Sequence, residues 1–266
     1  MGQIEDLILQ KNWRSMDRLR ALLPDNFCQE TADAILAWPR GTVLLTTGFY
    51  VEGHAETDGP PGTLLLCRAL KQSGFHPIVV TDAICHGYFE HWDIQTHYMP
   101  LNADDSYCQN LLAQHRPVGL IAIERCGRNI RGVYDDEDMD FERHTAPIDR
   151  LFELTDAPTI GIGDGGNEIG MGLLAGQFPP DFPLTPCRVA ADHLLIATVS
   201  NWGALALAMC LGYFPSQEAF WEVYRVAQSF GYVDGFTAEN TLTEDRFPLQ
   251  VGLTLLEQLY TAVSQP

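Results

Sequence analysis

The chain has 266 residues and a formal net charge of −19, from 35 acidic and 16 basic residues. Nucleic-acid backbones and anionic membrane surfaces both recruit clustered Lys and Arg, so neither is an expected partner. Apolar residues make up 46% of the chain, and a chain of this size buries roughly three-quarters of its unfolded surface, so its core needs no staples.

The seven cysteines are scattered without a C-x-x-C pair, which argues against a disulfide framework or a zinc ribbon. The opening MGQIEDLILQKNWRSMDRLR lacks the apolar core and small-residue cleavage site of a signal peptide. No run of about 18 apolar residues follows. The expected location is the cytosol.

In chain order, the first forty residues read as helices, with apolar stripes at Ile4, Leu7 and Ile8 and again over 31–38. A β-branched apolar run over 42–47 reads as a buried parallel strand. A long loop to Gly62 and a helix over 63–73, stopped by Gly74, come next. Strands are expected over 77–81, more weakly 94–99, then 118–123, 158–162 and 194–198. Helices are expected over 101–115, 145–154, 168–175, 202–211, 217–230 and 249–263. Short apolar strands alternating with helices imply βαβ units and right-handed crossovers. The expected fold is therefore α/β, doubly wound with a mainly parallel sheet, a Rossmann-like three-layer sandwich. It is read as one domain, a helical N-terminal extension over 1–40 and a parallel-sheet core over 41–266.

Each strand ends in unusual residues, and open parallel sheets bind ligands at the carboxyl ends of their strands. The combination TTGFYVEGHAETDGPPGT (46–63), IERCGRN followed by GVYDD, and GDGGNEIGMG resembles the D-glutamate cyclase C-terminal domain family. The resemblance runs from about Thr42 to Trp202. It implies conversion of D-glutamate to 5-oxo-D-proline and water, the activity of the two-domain members.

Taken on their own terms, Glu52, His54, Glu56 and Asp58 stand at alternate positions and would share one side of an extended loop. Clustered carboxylates either bind a hard cation or raise one another's pKa toward acid catalysis. His54, Glu56, Asp58 and Glu124 are the candidate acids and bases. Glu56, Asp58 and Asp164 are the candidate ligands of Mg2+ or Mn2+.

Arg125 and Arg128 are the candidate carboxylate anchors. Gly48, Glu52, Asp82, Asn129, Gly165, Gly166, Asn167, Glu168 and Asn201 complete the expected substrate contacts. Gly161, Gly163 and Gly166 formally satisfy G-x-G-x-x-G, but no acidic partner ends the next strand, so no nucleotide cofactor is expected. The run Asp135-Asp136-Glu137-Asp138 reads as a solvated loop. The expected partner is a small acidic metabolite, with homo-oligomerisation open. Two other readings fit the same acids: a non-catalytic sensor of an acidic metabolite, and a metal-dependent hydrolase or phosphatase.

Overall fold

Four of the five residues in β1 (Thr42–Thr46) are buried, as a strand covered on both faces requires. In the computed structural model, which describes residues 3–11, 14–134, 139–182 and 184–264, β1 lies mid-sheet. The acidic run at 135–138 lies outside the described residues. β1 pairs in parallel with β4 (His76–Thr81) on one side and with β6 (Gly119–Ile123) on the other. β5 (Gln95–Tyr98) lies beyond β4, while β7 (Thr159–Gly163) and β8 (His193–Ile196) extend the other side. The order is β5-β4-β1-β6-β7-β8, with every pairing parallel. Counted along the chain, that is the doubly wound order, and its winding reverses between β1 and β6.

Helices cover both faces of the sheet. One layer is built on α3 (Pro60–Gln72) against α7 (Ser200–Cys210), joined by α2 (Phe27–Ala37), α8 (Gln217–Ser229) and α9 (Leu249–Ser264). The other contains α4 (Asp105–His115) against α6 (Asp149–Leu154). The N-terminal α1 (Gln3–Ile8) packs on α7 and α9, and Ile8, Met16 and Leu19 join the main apolar core. All seven cysteines are free thiols, six of them buried. Among the described residues, no helix is long and apolar enough to cross a membrane.

Two short hairpins escaped the sequence reading: β2 (Tyr50–Val51) with β3 (His54–Ala55), and β9 (Thr243–Glu244) with β10 (Phe247–Pro248). A short helix, α5 (Met139–His144), precedes α6. The helix expected over 168–175 does not form, and only a 3-10 turn at Gly172–Leu174 stands there. The backbone is committed elsewhere: Gly170 and Gly172 both donate to the carbonyl of Val189, and Gly170 has φ +108°. Gly161 and Gly170 are also pressed together, a Cβ on Gly161 lying 2.7 Å from the Gly170 Cα. These glycines serve chain-to-chain packing, and the formal dinucleotide pattern has no helix to open.

Candidate active site

The reversal between β1 and β6 is where a doubly wound sheet leaves a crevice, and the loops leaving β1, β6 and β7 meet there. Asp58 stands just before α3. Its Oδ1 accepts the backbone N–H groups of Gly59 (2.8 Å) and Asn201 (2.7 Å), and its Oδ2 accepts that of Ser200 (2.8 Å). The carboxylate thus sits on the positive end of α7. Glu124, the first residue after β6, adopts a left-handed φ of +44°, and its Oε2 accepts a 2.5 Å bond from the Ser200 hydroxyl. Asp164, the first residue after β7, is ion-paired with Arg14 at 2.5 Å.

Asp58, Glu124 and Asp164 are all buried, and each offers an oxygen within 4.8 Å of the others. Glu56, Glu124 and Asp164 line a cavity of about 100 Å³, together with Arg14, Asn167 and Glu168. Phe49, Val51 and Leu184 supply apolar wall. Burial pushes the Glu56, Asp58, Glu124 and Asp164 carboxyls well above the usual carboxylate range. Their mutual repulsion, with that of Asp245, adds to the effect, and Arg14 opposes it at Glu56, Glu124 and Asp164. Burial alone would lower the Arg14 guanidinium, but Asp164, Asp245 and Glu124 outweigh it and hold the charge in place.

The four alternating residues of the first loop part company. Glu52 has φ +46° and turns the exposed tip of the β2–β3 hairpin, and His54 is exposed on β3. Glu56 and Asp58 are buried. A two-residue turn inside the loop breaks the extended geometry that would have aligned all four.

The two arginines expected to hold a substrate carboxylate have internal partners. Arg125 is buried; its Nη1 and Nη2 grip Asp82 and also donate to the carbonyls of Gly48 and Ala146. Arg128 forks onto Asp149 at 3.0 and 3.1 Å and lies over the Tyr134 ring. Asp82 also accepts the N–H of Ala146, so the pair ties the β1, β4 and β6 loops together rather than facing the cavity. Asn129 is buried, and its Oδ1 accepts the N–H of Arg131.

The glycine loop is likewise occupied from within. Glu168 folds back so that its carboxylate takes the N–H groups of Asp164 (3.2 Å), Gly165 (2.6 Å) and Gly166 (2.7 Å). An anion does sit in this nest of amides, but it is the protein's own. Asn201 accepts from the N–H groups of Gly59 and Gly62 and donates to the carbonyl of Thr57. Asn167 keeps its place in the cavity wall.

Arg14, Ser200, Glu244 and Asp245 were not singled out as site residues from sequence. Arg14 binds Asp164 and Asp245 together. Ser200 was visible only as the neighbour of Asn201. A rare cation in a chain of charge −19 was the available hint for Arg14. Trp202 is core, its Nε1 donating to Glu244 at 2.7 Å.

Carboxylates gathered about a small cavity, where the strand order of a parallel sheet reverses, define a doubly wound α/β protein with a strand-end small-molecule site. Residues 4–260 match the family described as D-glutamate cyclase-like, C-terminal, and the chain belongs to that family. The chain is 34% identical over 199 residues to human "D-glutamate cyclase, mitochondrial", a match covering 64% of this chain and 32% of the human protein. It therefore spans about a third of that relative's length. Among solved structures, an exopolyphosphatase-related protein from Bacteroides fragilis aligns with a TM-score of 0.44 at 13% identity, over 92% of this chain and 62% of the other. MurG from Acinetobacter baumannii aligns with a TM-score of 0.34 at 11% identity, over 57% and 45%.

Proposed function

We propose that the chain is a lyase of the D-glutamate cyclase type, closing D-glutamate or a related amino-dicarboxylate to 5-oxo-D-proline with loss of water. The observation that carries this reading is the cavity itself: one arginine and several buried carboxylates around about 100 Å³. That volume takes the reacting end of a small dicarboxylate and is far below the roughly 300–1,000 Å³ of sites for larger ligands. Family membership and the name borne by the human relative support the same chemistry.

In the reaction the amine nitrogen attacks the side-chain carboxyl carbon. A C–N bond forms, a C–O bond breaks, and the two protons shed by the ammonium leave with the departing oxygen as water. Those protons need a carrier on each side of the new bond. Glu56 lines the cavity, and Glu124 faces it with its other oxygen held by Ser200. Arg14 is the cation at the cavity wall, and a substrate carboxylate reaching it would share it with Asp164 and Asp245.

The test is to incubate the purified chain with D-glutamate or L-glutamate, with and without MnCl2, and to resolve 5-oxoproline by chiral chromatography. Formation of 5-oxo-D-proline is expected. Its absence in every arm overturns the reading.

A further inference from the structure

The acids of the cavity are arranged as a ligand set, and their charge is poorly matched. Asp58, Glu124 and Asp164 bring three carboxylate oxygens within 4.8 Å of one another. Glu56 lines the same cavity, and the Arg14 guanidinium binds Asp164 and Asp245 together. Independently of the clustering, Oδ1 of Asp164 is buried in the cavity wall and has no hydrogen-bond partner. A buried carboxylate oxygen without a donor is costly, and a cation bound there would relieve it. Oδ1 of Asp245, across Arg14, is in the same condition.

The geometry points to a divalent-cation site formed by Asp58, Glu124 and Asp164, with Arg14 as an internal cation that competes for it. The donors are hard oxygens, and the group contains no imidazole or thiolate, which favours Mg2+ or Mn2+ over Zn2+. Three protein ligands, of which Glu124 and Asp164 line the cavity, leave coordination positions for water and a substrate oxygen, the arrangement Mg2+ and Mn2+ favour over the fuller cage of Ca2+.

The supporting shell is built for the purpose. Three backbone N–H groups hold Asp58, and the Ser200 hydroxyl holds one oxygen of Glu124, which fixes the direction of both side chains. The sequence placed Glu56 in this set; the structure puts Glu124 there instead. The left-handed turn at Glu124, φ +44°, brings it alongside Asp58 and Asp164. The site stands on this geometry whether or not glutamate is the substrate.

The experiment is a titration of the full chain, stripped with EDTA, with MnCl2 alone, following free Mn2+ by its EPR signal. One Mn2+ per chain is expected. Glu124→Gln and Asp164→Asn should each weaken binding by at least about 10-fold. Glu124→Gln keeps an oxygen for the Ser200 hydroxyl, whereas Asp164→Asn weakens the pair with Arg14, so binding is compared well below each variant's melting temperature, with circular dichroism confirming the fold. Ser200→Ala, which removes only the bond orienting Glu124, should weaken binding less. Arg14→Gln should tighten it several-fold.

No binding at millimolar Mn2+, or binding indifferent to Asp164→Asn, overturns the site. Weaker binding in Arg14→Gln overturns the role given to Arg14. Mn2+ bound without formation of 5-oxoproline keeps the site and removes the cyclase reading. Turnover unaffected by EDTA, with no Mn2+ bound, does the reverse.

Discussion

Asp58 and Asn201 cap each other's helices. The Asp58 carboxylate, one residue before the Gly59 N-cap of α3, accepts the N–H of Asn201 at the start of α7. The Asn201 side-chain oxygen accepts the N–H groups of Gly59 and Gly62 at the start of α3, at 3.0 and 2.8 Å. The first turns of two helices, 142 to 143 residues apart in sequence, are thereby locked at the mouth of the site. Gly62 is part of the lock, because a Cβ there would lie 2.7 Å from Oδ1 of Asn201.

Asn201→Ala takes the side-chain acceptor from the buried N–H of Gly62 and the amide donor from the carbonyl of Thr57, while the N–H of Gly59 keeps Asp58. A loss of about 1–3 kcal/mol is expected in urea denaturation. Gly62→Ala should cost about 1–3 kcal/mol by forcing α3 from α7. Near-neutral results for both variants would show that the reciprocal cap is not holding the helices together.

Glu168 acts as a built-in anion for the loop after β7. In Glu168→Ala the N–H groups of Asp164, Gly165 and Gly166 lose their acceptor. The expected cost is about 3 kcal/mol or more. Formate, which is small enough to enter the nest, should restore part of the melting temperature in the variant while leaving the wild type unmoved. An equal response of both proteins to formate would rule out the nest as its site of action.

Gly235 sets the position of Glu56. A Cβ at residue 235 would stand 1.5 Å from Oε1 of Glu56, so Gly235→Ala must move that carboxylate. Turnover of D-glutamate should fall by about 10²-fold, the typical worth of a positioned acid or base. The circular dichroism spectrum should be unchanged. Full activity in Gly235→Ala would take Glu56 out of the reaction.

Stability should fall as pH rises. Glu244 is buried; Oε1 accepts from Trp202, and Oε2 accepts from Tyr224 and Asn201. Burial nevertheless pushes it up to about 7. An unfolded Glu titrates near about 4.3, so the folded state holds this proton more tightly. The associated stability is full below about pH 4.3 and is lost as pH rises through about 7, an effect of about 4 kcal/mol. The raised cavity carboxyls act in the same direction. Glu244→Gln should flatten the denaturation midpoint over this window. A wild-type midpoint that rises between about pH 4 and about pH 8 would contradict the assignment.

Which parts of this were legible in sequence follows from how far each signal reaches. The strands of the main sheet announced themselves because a strand covered on both faces must be a short continuous apolar run, as in Leu120, Ile121, Ala122 and Ile123. The alternation of such runs with helices then dictated a parallel sheet and its class of crossover. Glu56, Asp58, Glu124 and Asp164 could be picked out because they lie in loops at strand ends, where doubly wound sheets place their sites.

Direction and partnership were decided only in three dimensions. A carboxylate in a loop points where long-range backbone bonds leave it. Nothing near residue 125 says that its guanidinium will be consumed by Asp82, 43 residues earlier. Nothing near residue 168 says that its carboxylate will fill the amide nest two to four residues back instead of opening a helix. Arg14 reaches Asp164 across 150 residues of sequence, and no local periodicity encodes such a meeting. Local pattern determined which residues form the sheet and which acids reach its rim. Only the closure of distant chain segments determined which of those acids face one another, because burial and mutual repulsion exist only once they are brought together.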